Sequence, residues 1–357
     1  MSRCLLGTTV FIVLVALFSG CSDDGSSGDE DGGGPDLGRG DRGVKPDEGR
    51  PPDGVPSDLV QSEGARPDTP PTDPAAPKFA KSGSYSITVA GTSDPADVYH
   101  PAPSDLKTGG YSFPVVLLLQ GAKVDKKNYS EVAGAVARHG FVVVVPNHTS
   151  LMGLFMELAV IPAVLEQMKT ENASTSSPLA GVVDTSQLGL MGHSYGGVAG
   201  LYAIQGQCPI PWCFGTFKRP AELKAGAFYG TNMKPPIGSI PKVANAGIAI
   251  ALIQGTLDGK SKEADTKVTY DNIQDPPKAY VLLAGANHYG VCNTNNPPGA
   301  DADATTPTLA QQVAVETVAR WSAMFLRAHL AGEATAVDYV HKTGDGLDPN
   351  VAVTSAK

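Results

Sequence analysis

Two stretches of the chain are apolar at every position, 115–119 and 141–145, and a third, 187–191, is nearly so. Runs of this length and character suit strands buried on both faces, as in a parallel sheet between two layers of helices. Shorter extended segments are predicted at 85–89 and 97–100, near 227–229, and at 249–253 and 280–283. Between them the period changes. Asn128-Tyr129-Ser130-Glu131 has the spacing of a capping box with Asn128 as cap, after which Tyr129, Val132, Ala133, Val136 and Ala137 recur at helical intervals up to a stop at Gly140. Residues 162–168 and 198–204 also read as helical, and 307–331 carries Val318, Trp321 and Phe325 on one face. Strands alternating with helices imply an α/β fold, its mostly parallel central sheet covered on both faces. There is no internal repeat.

The first 77 residues do not share this pattern. Residues 1–21 hold a single Arg3, an apolar run over 5–18, and then Ser19-Gly20-Cys21. This reads as an export signal ending at small residues, with an apolar run short of the ~20 residues a spanning helix needs. Leu17-Phe18-Ser19-Gly20-Cys21 resembles the lipobox of bacterial lipoproteins, with Phe18 in place of the usual Leu. That resemblance implies acylation of Cys21 and a folded domain tethered to the cell envelope, outside the cytoplasm. Residues 22–77 are dominated by Gly, Asp, Pro and Ser and have almost nothing to bury, so they are expected to form a disordered linker with a root-mean-square span of about 40 Å. Their 14 acidic residues against 5 basic ones leave a deficit of nine, the same as the formal charge of −9 of the whole chain. The remainder, 78–357, is therefore nearly neutral and offers no electrostatic case for a nucleic-acid partner. It is long enough for one sizeable core.

Within that domain the sharpest signal is Gly192-His193-Ser194-Tyr195-Gly196-Gly197, between a predicted strand and a predicted helix. A Ser in such a turn is thrust above the sheet, and its flanking residues must be small because backbone approaches on both sides. A hydroxyl becomes a good nucleophile only when a base takes its proton, and the base needs an acid to orient it. His288, in Gly285-Ala286-Asn287-His288-Tyr289-Gly290 just past the strand at 280–283, is the best base. His329 lies inside the last helix and His341 in a polar tail. Asp258, in the turn-rich loop after 249–253, is the best acid, with Asp265 and Asp271 as rivals in a polar helix-like stretch. Two backbone amides are expected to form the oxyanion hole, those of Tyr195 and of Ala122, the latter in Gln120-Gly121-Ala122-Lys123.

These motifs resemble, in order and spacing, those of the α/β-hydrolases, and most closely the branch of chlorophyllases, polyester hydrolases and platelet-activating-factor acetylhydrolases. The resemblance covers about 85–330. It implies a serine esterase acting through an acyl-enzyme on Ser194, with His288 as general base and acid and Asp258 orienting it. The chain departs from the pattern in having Gln120-Gly121 where many members have His-Gly. It also has Ala122 where polyester hydrolases place an aromatic. No long helical insertion is predicted between 229 and 249, where lids often sit. The apolar residues Met152, Leu154, Phe155, Met156 and Leu158 fit either a buried core segment or the wall of an acyl pocket.

Of five cysteines, Cys4 would leave with the signal and Cys21 would carry the lipid. Cys208, Cys213 and Cys292 then face an oxidising compartment, and one of them is left over. Closure of a small loop by Cys208 and Cys213 is favoured, with Cys292 pinning the His288 loop as the alternative. No His or Cys cluster has zinc spacing, so neither metal nor cofactor is expected. The expected partners are an ester substrate and a membrane. The same triad would serve an acyltransferase, and a hydrolase scaffold without catalysis would serve a surface-binding lipoprotein.

Overall fold

The computed structural model describes residues 73–102, 104, 110–147 and 153–357. The chain divides into two units, Met1–Ala65 and Arg66–Lys357, and every described residue lies in the second. The signal, Cys21 and most of the linker fall outside the described residues.

Nine strands form one sheet: β1 (Ser82–Thr88), β2 (Pro95–Pro101), β3 (Phe113–Leu119), β4 (Val142–Pro146), β5 (Val183–His193), β6 (Leu223–Tyr229), β7 (Ala249–Gly255), β8 (Lys278–Leu283) and β9 (Val351–Ala356). Their spatial order is β1-β2-β4-β3-β5-β6-β7-β8-β9. The six strands from β4 to β8 in that order are parallel, and antiparallel strands flank them at both edges.

The apolar runs behave as two-sided strands. Val116 and Leu118 of β3 and Val143 and Val145 of β4 enter one core, while Val115, Leu117, Leu119, Val142 and Val144 enter the other. Successive side chains of a strand point to opposite faces, so a run apolar at every position needs cover on both. On the first face lie α1 (Ser130–Arg138) and α5 (Gln311–His329). On the second lie α2 (Val160–Ala173), α3 (Tyr195–Gln205) and α4 (Glu263–Asn272). Val132 and Val136 of α1 are fully buried, each stabilising the fold by about 1.5–3 kcal/mol. Short helices α6 (Ala334–Asp338) and α7 (Gly344–Leu347) flank a π-helical turn, Tyr339–Thr343.

The structure corrects three local expectations. Asn128 does not cap α1. A 3₁₀ turn, Lys126–Tyr129, precedes the helix and is capped by Asp125, whose carboxylate accepts from the Lys127 amide, and Asn128 is buried inside it. The last long helix starts at Gln311 rather than 307, because the Thr308 and Leu309 amides donate instead to the Gly285 carbonyl. The polar tail ends in β9, an edge strand whose polar Thr354 and Ser355 hide its pairing with β8.

Candidate active site

Because the central strands are parallel, the segments leaving β3, β5, β6, β7 and β8 all emerge at one edge of the sheet, where α/β proteins place their sites. Ser194 stands between β5 and α3 with φ 54° and ψ −122°. For a residue with a side chain this is a costly conformation, on the order of 1–3 kcal/mol, and it persists because the surroundings over-determine it. Its amide donates to the Tyr229 carbonyl at 3.0 Å, and its own carbonyl accepts from the Val198 amide at 3.1 Å and from the Thr231 hydroxyl. Gly196 shows why the flanking positions carry no side chain. A Cβ there would run into the carbonyl oxygens of Leu119 and Gln120, so the elbow packs directly on the backbone leaving β3.

His288 and Asp258 lie side by side. The Nδ1–H of His288 donates to both carboxylate oxygens, at 3.0 Å and 2.9 Å, and the two side chains are 4% and 0% exposed. The carboxylate is fixed as well, since Asp258 Oδ1 accepts from the amides of Lys260 at 2.9 Å and Ser261 at 2.7 Å. With Nδ1 carrying the proton, Nε2 keeps the bare lone pair a general base needs. The rivals are elsewhere. Asp265 lies 3.7 Å from the Lys234 ammonium and Asp271 pairs with Lys267 at 2.7 Å. His329 and His341 meet one another, Nε2 to Nε2, at 3.1 Å on the far end of α5.

Among the described residues neither the Ala122 nor the Tyr195 amide donates to another group. The Gly121 carbonyl, which shares a peptide plane with the Ala122 amide, accepts from Val124 at 3.1 Å. Both expected oxyanion donors are thus on fixed backbone and uncommitted.

Sequence reasoning missed the residues that hold His288. Asp303, buried in a loop without regular structure, accepts through Oδ2 from the His288 amide at 3.0 Å and the Gly259 amide at 3.1 Å, and through Oδ1 from Thr305 at 2.9 Å. The Tyr229 hydroxyl donates to the Asn287 carbonyl at 2.5 Å. The Asn287 side-chain amide donates to Asn295 and to the Thr305 carbonyl, both at 2.9 Å. Asp303 sits in Asp301-Ala302-Asp303-Ala304-Thr305-Thr306, a polar stretch that carries no local signal of burial.

An aromatic group flanks the elbow. The Phe155 ring stacks on Tyr195 with centroids 5.1 Å apart, and Trp212 meets both edge-on, at 5.3 Å and 6.1 Å. Trp212 lies in the loop closed by the Cys208–Cys213 disulfide, while Cys292 is a free, buried thiol that burial pushes well up from its usual range. The apolar patch read at 152–158 therefore splits: Met156 and Leu158 are core, Phe155 faces Tyr195, and Met152 lies outside the described residues. Between β6 and β7 no described residue is helical, in line with the expected lack of a lid. A cavity of about 620 Å³ lies apart from Ser194, His288 and Asp258, lined by residues such as Glu157, Phe214 and Glu222.

A family model described as chlorophyllase matches residues 88–264, a stretch that includes Ala122, Ser194 and Asp258 and ends before His288. The curated protein chlorophyllase-1, chloroplastic, from Citrus sinensis is 33% identical over 118 residues, which are 30% of this chain and 33% of that protein. The chain thus spans about a third of the length of the curated relative it matches. With its mostly parallel sheet and strained serine elbow the chain has an α/β-hydrolase fold, and over the matched stretch it is similar to the chlorophyllase-like branch of that fold.

Proposed function

We propose that the protein is a serine esterase that hydrolyses carboxylic esters through an acyl-enzyme on Ser194. The observation that carries the reading is the buried, two-oxygen pairing of His288 with Asp258 at the sheet edge that holds the strained Ser194 elbow. In this mechanism His288 Nε2 takes the Ser194 proton as Oγ attacks the ester carbonyl. The Ala122 and Tyr195 amides stabilise the oxyanion. The imidazolium, stabilised by Asp258, returns its proton to the leaving alcohol, and water repeats the sequence to release the acid. Phe155, Tyr195 and Trp212 offer an apolar wall for the ester's acyl or alcohol part.

The same proposal places the enzyme outside the cytoplasm, anchored to the membrane by a lipid on Cys21 after a cleaved signal, with 22–77 as the tether. The Cys208–Cys213 disulfide supports an oxidising compartment.

The test is turnover of a graded series of acyl-chain p-nitrophenyl esters by the full chain and by Ser194→Ala, with and without an added alcohol acceptor. Hydrolysis that the substitution removes is expected, to about the 10³–10⁴-fold residue left by oxyanion and binding contacts alone. Turnover equal in both proteins would overturn the reading, and ester exchange outrunning hydrolysis would replace it with an acyltransferase.

A further inference from the structure

His193, the residue before the nucleophile, is completely buried and hydrogen-bonded at both ring nitrogens. Its Nε2 lies 2.9 Å from the His288 carbonyl oxygen, which can only accept, so Nε2 carries the proton. Burial, with His288 nearby, holds the imidazole well below its ordinary pKa and therefore neutral. Nδ1 is then bare and accepts from the Tyr129 hydroxyl at 2.9 Å. The Tyr129 oxygen in turn accepts from the Gly121 amide at 2.8 Å. The result is one chain of hydrogen bonds with a single direction, from the Gly121 amide through Tyr129 and His193 to the His288 carbonyl. Each bond polarises the next.

The two ends of this chain are the two parts of the site that have no direct contact in sequence. At one end is the residue before Ala122, the proposed oxyanion donor. At the other is the backbone of His288 itself, whose amide is held by Asp303. Of the two inner members, His193 is joined to Ser194 by a peptide bond. Close approach is built in, since a Cβ on Gly121 would stand 2.6 Å from His193 Nδ1. The His193 and His288 rings lie 4.7 Å apart, and a charged His193 there would oppose the imidazolium that forms on His288 during the reaction.

We propose that His193 and Tyr129 are positioning residues that hold the oxyanion amide, the nucleophile and the general base in one frame. The inference rests on the Ser194 esterase reading. It is tested in the full-length protein by turnover of p-nitrophenyl butyrate, with rates divided by the concentration of sites that a fluorophosphonate titrates. Tyr129→Phe and His193→Phe each lower kcat about tenfold with KM nearly unchanged, part of the about 10²–10³-fold that loss of an oxyanion donor costs. The double variant is no worse than either single one, as expected for members of one chain. His193→Asn, whose amide oxygen takes the place of Nδ1, recovers part of the loss. A second readout covers variants that fold poorly: in the ¹⁵N spectrum the wild-type His193 ring is the neutral Nε2–H tautomer. Normalised kcat unchanged in Tyr129→Phe, losses that multiply in the double variant, or an Nδ1–H or charged His193 overturns the inference. A folded wild type that neither labels nor turns over sinks the esterase reading and this one with it, whereas an active wild type with unaffected variants sinks this one alone.

Discussion

On the proposed nucleophile side of the site, Ser194 is held mainly by backbone, with the Thr231 hydroxyl also on its carbonyl. Its amide bonds to Tyr229, its carbonyl takes the first helical bond of α3, and Gly196 lets the turn lie on the carbonyls that leave β3. On the acid–base side, His288 and Asp258 sit in loops whose own backbone makes little regular structure. His288 is fixed largely by side chains, Asp303, Tyr229 and His193 from elsewhere in the chain and Asn287 beside it, while Asp258 is also held by the Lys260 and Ser261 amides. One half is built from a local turn whose glycines let backbone pack on backbone. The other is built from buried polar groups whose hydrogen bonds must all be satisfied. The difference shows how the proposed site combines a strained serine elbow with a histidine held by a network.

The comparison breaks most readily at Gly196. A methyl group there meets backbone oxygens that cannot rotate away, so Gly196→Ala is expected to remove esterase activity. It should also lower the unfolding free energy by about 3 kcal/mol or more, since overpacking against backbone leaves no cheap relaxation. Denaturant unfolding and ester assays check this, and an active, equally stable variant would show that the elbow is not packed as described.

On the other side the expected effect is smaller and of a different kind. Asp303→Asn keeps one carbonyl oxygen but loses the charge and leaves at least one of the His288, Gly259 and Thr305 amides without an acceptor. Each orphaned amide costs about 1–3 kcal/mol. Because the His288 backbone loses its anchor, kcat should fall about 10–100-fold while KM changes little, on the view that small misplacements of a catalytic group cost rate rather than binding. Wild-type kcat in this variant would mean that the acid–base half is held by its own loops after all.

Those two halves were unequally legible in the sequence. The elbow, the strands before the site loops and the alternation of strands and helices follow from local pattern: two-sided apolar runs, glycines at fixed offsets and helical periods. His288 and Asp258 followed because each comes just after a strand of that pattern. Asp303 did not, because a buried carboxylate in a Thr- and Ala-rich loop has the same composition as a solvated one, and only the fold brings the His288 amide to it. His193 and Tyr129 were visible as motif and as helix face, yet nothing local says that a ring in the 3₁₀ turn before α1 spends its hydroxyl on the neighbouring strand's histidine. The disulfide was favoured by loop length, and β9 was hidden by its polar edge positions.

The smallest effect belongs to neither half and serves as a control on both. His139, at the end of α1, is buried with Nδ1 unpartnered, and burial together with the positive charge of Arg327, Arg138, Arg320 and Lys78 brings its pKa from 6.5 down to about 3. Between those two values the unfolded chain binds a proton that the folded chain refuses. Stability is therefore full above pH 6.5 and declines as the pH falls toward 3, by at most about 1.4 kcal/mol per pH unit for this group. His329, brought down to about 4 by burial and its neighbour His341, adds to the same slope. In His139→Gln the fall in Tm between pH 7 and pH 4.5 should be shallower than in the wild type, whatever the offset at neutral pH. Parallel curves would remove His139 from the account.

The central claim, an activated nucleophile at Ser194, is tested most directly by fluorophosphonate labelling of the full chain with peptide mapping by mass spectrometry. The account predicts a single covalent adduct on Ser194 that is absent in the Ser194→Ala protein. A folded wild type that takes no label, or a label on another residue that survives the substitution, would contradict it.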